Sequence, residues 1–383
     1  MMQTMTRGNE SSAAMGCVLV AFELSQRWWK VGFTTGLGQR MRTRRIAAGA
    51  LEALAEAVAD AKKMFGLVAD ARVISCYEAG RDGFWLHRYL TARGATNYVV
   101  DSASIEVNRR ARRTKTDAVD LQGLLALLTR YVAGDRRCWR VVRVPSVADE
   151  DARQLHRTWE TLQGDRTRLI NRVKAVLASH GVRLAITADF LAAVAATRLW
   201  DGSAIPPGAR ERLAHDWAQL SSIEERLAAV ADARANLPVD PTTATGHAVQ
   251  TLQQVRAIGP GGAWVLATEI FGWRGIRNGR ELGALVGLAP ALYQSGATQR
   301  DRGITRAGNA HVRRMMVQLA WGWLRWQPDS ALAQWYQRRF ATGGPRQRRI
   351  GIVALARKLL IALWHYVDHG IVPEGARLKV TAA

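Results

Sequence analysis

Between residues 17 and 132 short apolar runs alternate with longer stretches of helical composition, and their order constrains the fold more than any other feature of the chain. Cys17–Leu24 is a short apolar run, Trp28–Thr34 alternates, and Gly36-Leu37-Gly38 supplies a turn before a basic segment at residues 40–46. These read as three strands in meander. Residues 50–65 are helical in composition, residues 72–77 form a buried-strand run, residues 83–92 are helical, Thr96–Val100 is another strand, and residues 116–132 form a Leu-rich helix. The order strand-strand-strand-helix-strand-helix-strand-helix predicts an α/β unit: a mixed sheet with helices on both faces.

Charge places the remaining boundaries. The 383 residues carry 54 Lys+Arg and 32 Asp+Glu, net +22, and 47 of the basic residues are Arg. Arg is planar, permanently charged and bidentate toward phosphate, so a nucleic acid is the expected partner. Residues 1–145 are net +10, residues 146–250 net −1 and residues 251–383 net +13, which divides the chain into two basic lobes and a nearly neutral middle. Three dispersed cysteines, with no Cys/His cluster in sequence, argue against a disulfide framework and a zinc site. The most apolar windows are broken by Glu23 or by Arg357 and Lys358, so a soluble, cytoplasmic protein without a membrane span is expected.

The middle segment is helical. Leu155, Leu162, Leu169 and Val176 recur every seven residues, and Leu213, Leu220 and Leu227 repeat the spacing beyond Pro206-Pro207-Gly208. Two long helices joined by a loop form an antiparallel coiled-coil arm. Its seam serves either a second subunit, giving a homo-oligomer, or a hairpin within one chain. In the last, mainly helical lobe, Gly259 and Gly261 in Ile-Gly-Pro-Gly-Gly resemble a helix-hairpin-helix turn, whose backbone N–H groups either face a phosphate or serve packing. Beyond it lie Ser295 in Gln-Ser-Gly and the candidate nucleic-acid-binding residues: Arg300, Arg302 and Arg306 in a basic run, then Asn309, Arg313 and Arg314.

Carboxylates inside this basic field are the candidates for chemistry. Asp117 and Asp120 share one face of a helical first turn, where the helix dipole alone also favours acids. Glu23 and Glu78 end the first and fourth strands, which brings both to one sheet edge if those strands are parallel neighbours. Four converging carboxylates would suit two divalent cations clamping a phosphoryl transfer, with Arg109, Arg110, Arg112, Arg113 and Lys115 gripping the nucleic-acid backbone.

Glu23 in Val-Ala-Phe-Glu-Leu-Ser, Glu78 in Cys-Tyr-Glu-Ala-Gly-Arg-Asp-Gly-Phe, Lys-Thr-Asp117-Ala-Val-Asp120, and Gly287-Leu-Ala-Pro through Gln-Ser295-Gly to Gly308-Asn309 resemble the insertion-sequence-110 transposase family over nearly the whole chain. The element order likewise matches the ribonuclease H-like core. The resemblance implies an N-terminal RuvC-like domain with a DEDD acidic set, a coiled coil, and a C-terminal transposase domain with a nucleophilic serine. By position, Glu78, Asp117 and Asp120 fill the second to fourth acidic places and Ser295 the serine place. Glu23 stands where the family usually has Asp. The implied activity is DNA cleavage and strand exchange through a composite Mg²⁺-dependent site, with DNA, a structured noncoding guide RNA and further copies of the chain as partners. Two alternatives stay open: a structure-specific nuclease using only the acidic site, and a catalytically decayed nucleic-acid-binding protein.

Overall fold

The computed structural model describes residues 16–36, 38–105, 117–236, 239–295 and 298–379. Arg109, Arg110, Arg112, Arg113 and Lys115 lie outside the described residues. The chain divides into two compact units, Met1–Val144 and Pro145–Ala383.

In the first unit the elements run β1 (Cys17–Leu24), β2 (Trp28–Thr34), β3 (Arg42–Ala47), α1 (Leu51–Met64), β4 (Arg72–Glu78), α2 (Trp85–Ala92), β5 (Thr96–Val100) and α3 (Asp117–Val132). The sheet order is β3-β2-β1-β4-β5. β1, β2 and β3 are joined antiparallel, whereas β4 runs parallel to both β1 and β5. The three residues between β1 and β2 allow only an antiparallel return, while α1 and α2 supply the long crossovers that parallel neighbours need. β1 lies mid-sheet and is buried over its first six residues, as a strand covered on both faces must be.

Side-chain alternation sorts that sheet into two cores. Val18, Val20, Phe22 and Tyr77 pack with Leu54 and Ala57 of α1 and Leu86 and Leu90 of α2. Cys17, Leu19, Ala21 and Cys76 point the other way, against Leu121, Leu124, Leu125 and Leu128 of α3. Gly32 on β2 lets α3 settle close, because a Cβ there would lie 3.2 Å from Leu121 Cγ.

The second unit opens on α4 (Val147–Asp151), started by a reciprocal capping box between Ser146 and Asp149. α5 (Gln154–Ser179) and α7 (Pro207–Ala235) then pair, with α6 (Phe190–Ala196) between them in sequence. Arg166 meets Glu224 and Arg172 meets Asp216, so the two helices run antiparallel. Leu162, Leu169 and Val176 of α5 and Leu213, Leu220 and Leu227 of α7 are buried by this pairing and its surroundings within one chain. The seam therefore has its apolar cover without a second subunit.

The rest of the unit comprises α8 (Ala244–Gln253), α9 (Pro260–Leu266) running into a π-helical turn at Ala267–Phe271, α10 (Gly279–Leu285), the hairpin β6 (Pro290–Ser295) and β7 (Thr298–Ile304), α11 (Ala310–Trp326), α12 (Ala331–Phe340) and α13 (Pro345–His369). The hairpin was not legible in the polar run of β7, which lacks an apolar alternation of its own and takes its register from β6. α13 is long and apolar enough to cross a membrane by length and composition alone. Here it is a core helix: Ile352, Leu355, Leu359, Leu360 and Leu363 are buried in one cluster with Met316 and Trp323 of α11. Its two basic interruptions sit at the helix surface, Arg357 against Gly283 of α10 and Lys358 over the Trp335 ring of α12 at 4.9 Å.

Candidate functional site

The first unit concentrates acid at one end of its sheet. Phe22 pairs with Tyr77 across the parallel β1–β4 ladder, so Glu23 and Glu78, each one residue further on, stand side by side. Counting by two from Ala21 and from Cys76, both side chains belong to the face that α3 covers. Both residues line a cleft of about 720 Å³, with Ser25, Gln26 and Arg27 from the loop after β1 and Arg81 and Asp82 from the loop after β4. Clefts at the carboxyl ends of parallel strands are where open α/β sheets hold ligands. Ser25, Gln26 and Asp82 escaped the sequence reasoning, although their position directly after two strands ending in Glu was the available signal.

Asp117 and Asp120 occupy the first turn of α3. Leu121, the next residue after Asp120, lies over Gly32 of β2, which pairs with Ala21, two residues before Glu23. Leu121 thus fixes α3 over the face of the sheet to which Glu23 belongs. Of Asp117 only the backbone position is described.

In the second unit, Ser295 is the last residue of β6 and pairs with Thr298 at the tip of the hairpin, with Arg300 opposite Tyr293 and Arg302 further along β7; the side chains of Ser295, Arg300 and Arg302 lie outside the described residues. Two glycines build the base of this hairpin. Gly287 and Gly308 both have left-handed backbones, and a Cβ on either would lie 2.1 Å from a carbonyl oxygen of the facing segment. That crossing is fastened by Thr305 N donating to Ala289 O at 2.9 Å, Arg306 N to Gly287 O at 3.1 Å, and Asn309 N to Leu285 O at 2.8 Å. Arg306 is exposed, also with positive φ.

Other candidate residues are held by the protein itself. Asn309 caps α11, its Oδ1 accepting from the N–H groups of His311 and Val312, while its Nδ2 donates to Glu269 at 2.8 Å. Arg157 grips the same Glu269 with two hydrogen bonds of 3.0 and 3.2 Å. Arg313 donates to Val286 O at 2.9 Å, and Arg314 reaches Glu160 at 2.9 Å while staying half exposed. Gly259 is the N-cap of α9, and Gly261 leaves room for the Arg234 guanidinium, which would lie 2.5 Å from a Cβ. Arg234 and Trp159, stacked cation over ring at 5.3 Å, line a second cleft of about 690 Å³ together with Pro260 and Gly261.

Residues 249–336, which hold Ser295, Glu269 and Asn309, match the family described as Transposase IS116/IS110/IS902 family. Over 380 residues, 95% of this chain and 95% of the relative, the chain is 36% identical to "Putative transposase y4rJ" of Sinorhizobium fredii. It belongs to the IS116/IS110/IS902 transposase family. The transposase is also 28% identical to the "Probable family 20 transposase" of Pseudomonas aeruginosa, over 61% of this chain and 68% of that one. With the "Transposase for insertion sequence element IS1328" of Yersinia enterocolitica it shares 25% identity, over 60% of this chain and 66% of the relative. The acidic cleft of the first unit lies outside the matched segment 249–336 but inside the first unit's share of the long y4rJ match.

Proposed function

We propose that this insertion-sequence transposase cleaves and rejoins DNA through a serine nucleophile, Ser295, and an acidic set of Glu23, Glu78, Asp117 and Asp120 that holds Mg²⁺. The observation that carries the reading is the side-by-side placement of Glu23 and Glu78 at the ends of two parallel strands, on the face that α3 covers with Asp120 in its first turn. The β3-β2-β1-β4-β5 order supports a RuvC-like, ribonuclease H-type core.

The donor set fits the metal, since carboxylate oxygens are the ligands that hard divalent cations take. When bound, Mg²⁺ supplies charge stabilisation at a phosphate gaining a fifth oxygen. The chain's own part is nucleophilic. Ser295 Oγ forms the new bond to phosphorus as the bond to the departing 3′ oxygen breaks, the serine's proton ending on that 3′ hydroxyl; a second 3′ hydroxyl later attacks the phosphoserine ester and releases the serine. The position of Ser295 at a hairpin tip, facing a strand that carries Arg300 and Arg302, supports access to a DNA backbone.

Exposed tryptophans, Trp28, Trp85, Trp200, Trp321 and Trp326, suit stacking on unpaired bases and support a structured guide RNA as a partner. The chain acts in the cytoplasm on nucleoid DNA as a homo-oligomer. The test is strand exchange with purified protein, element-end DNA, RNA from the flanking sequence and Mg²⁺. Wild type gives joined products and a protein–DNA adduct; Ser295→Ala and Glu78→Gln give neither. Continued cutting by Ser295→Ala would instead identify a nuclease working from the acidic cleft alone.

A further inference from the structure

His156 and Glu160 stand one helical turn apart on α5 and face His311, two residues into α11. One donor atom from each of the three lies within 4.8 Å of the others. His156 Nε2 is 3.2 Å from Glu160 Oε1, and His311 Nδ1 contacts Glu160 Oε2. Three donors on one ion at Zn–N and Zn–O bond lengths of about 2.1 Å stand roughly 3.4 Å apart. Small side-chain rotations therefore close this set on a single cation.

A second observation sets the cluster apart from an ordinary ion-pair network. His156 is completely buried, and neither ring nitrogen makes a hydrogen bond, although Glu160 Oε1 stands 3.2 Å from Nε2. Buried polar nitrogens without partners are costly and rare, and a metal bond at Nε2 would satisfy one of the two.

We propose that His156, Glu160 and His311 form a transition-metal site of the zinc class, separate from the Mg²⁺ proposed for the acidic cleft. Two imidazoles and one carboxylate select Zn²⁺ over Mg²⁺, which favours all-oxygen shells. Local charge sharpens the choice. Arg314 already rests on Glu160 at 2.9 Å, and the Arg234 charge reaches His156, so only a cation with strong nitrogen affinity competes there. Metal loading displaces Arg314 from Glu160 toward solvent, where it is free to meet a phosphate. It also fastens the base of α5 to the start of α11, directly after the hairpin that carries Ser295.

The full-length protein, stripped with a chelator, is titrated with Zn²⁺ and, for spectroscopy, Co²⁺. The expected result is one tight equivalent with Co²⁺ d–d absorption and no thiolate charge-transfer band, the three cysteines being buried elsewhere. Affinity falls at least tenfold in Glu160→Gln and in the partly exposed His311→Ala, and holds in Glu23→Gln/Glu78→Gln. His311→Cys restores binding and adds the thiolate band, which separates lost ligation from lost folding. Absence of a bound equivalent in wild type, binding indifferent to Glu160 and His311, or binding that depends on Glu23 and Glu78 would each overturn the proposal.

Discussion

Glu269 is 1% exposed and carries a full charge into the second unit's core. Burial alone pushes its carboxyl up, but the two hydrogen bonds and charge of Arg157, the Asn309 amide and Arg153 outweigh that and hold it below the usual range. A depressed carboxylate contributes stability that is complete above its unfolded value, about 4.3, and is lost as pH falls through the lower folded value. Glu269→Gln should cost about 1–3 kcal/mol at pH 7, less than a wholly enclosed pair because Arg157 can rehydrate. Its denaturant midpoint should also fall less between pH 5 and 3 than the wild-type midpoint does. The same residue shows why the partner of Asn309 was not legible in sequence, as Glu160 shows it for Arg314. Arg157 and Glu269 are 112 positions apart, and Glu160 and His311 are 151 apart, so no local spacing announces that these side chains are already engaged. Glu23 and Glu78 were legible because each ends an apolar run, and the parity of a strand fixes the face a terminal residue takes. At position 23, Glu23→Asp should keep strand cleavage within about tenfold of wild type, while Glu23→Gln should lose about 100-fold, the scale of removing one charged group from a transition state.

The hairpin of β6 and β7 depends on its crossing glycines. Gly308→Ala combines a left-handed backbone, worth roughly 1–2 kcal/mol, with a Cβ driven into Leu285 O. Gly202→Ala has the same backbone handedness but open space around it, and should cost only the first of these terms. Thermal unfolding of the pair should therefore show a clearly larger fall for Gly308→Ala, and the hairpin should loosen with it. Secondary structure in the first unit was readable because its strands are short apolar runs bounded by turns. The α5–α7 arm was readable as two antiparallel helices but not in what covers its seam, since a heptad row of Leu specifies an apolar neighbour and not whose chain supplies it. The start of α13 at Pro345 lies six residues before Gly351, where the apolar window broken by Arg357 and Lys358 opens, because Pro at the first helical position and the exposed Arg346, Arg348 and Arg349 extend a helix that hydrophobicity alone does not mark.

A charge of +22 makes affinity for nucleic acid steeply dependent on salt, with a slope of about 0.9 in log–log terms for each phosphate neutralised on duplex DNA. Arg42 and Arg45 lie on the sheet's edge strand β3, and replacing both with Gln should flatten that slope by about 2 if each meets a phosphate. Net charge marked two basic lobes in the sequence, but only the fold brings Glu23 and Glu78 to one cleft at the end of parallel strands. The central claim is that this cleft serves a covalent exchange begun by Ser295. Its most direct measurement is mass spectrometry of the adduct trapped on nicked element-end DNA with flanking RNA and Mg²⁺, after tryptic digestion. The account predicts a nucleotide on the peptide spanning residues 281–300, localised by fragmentation to Ser295. Free DNA ends without an adduct, or an adduct on Tyr293 or Thr298, would contradict it.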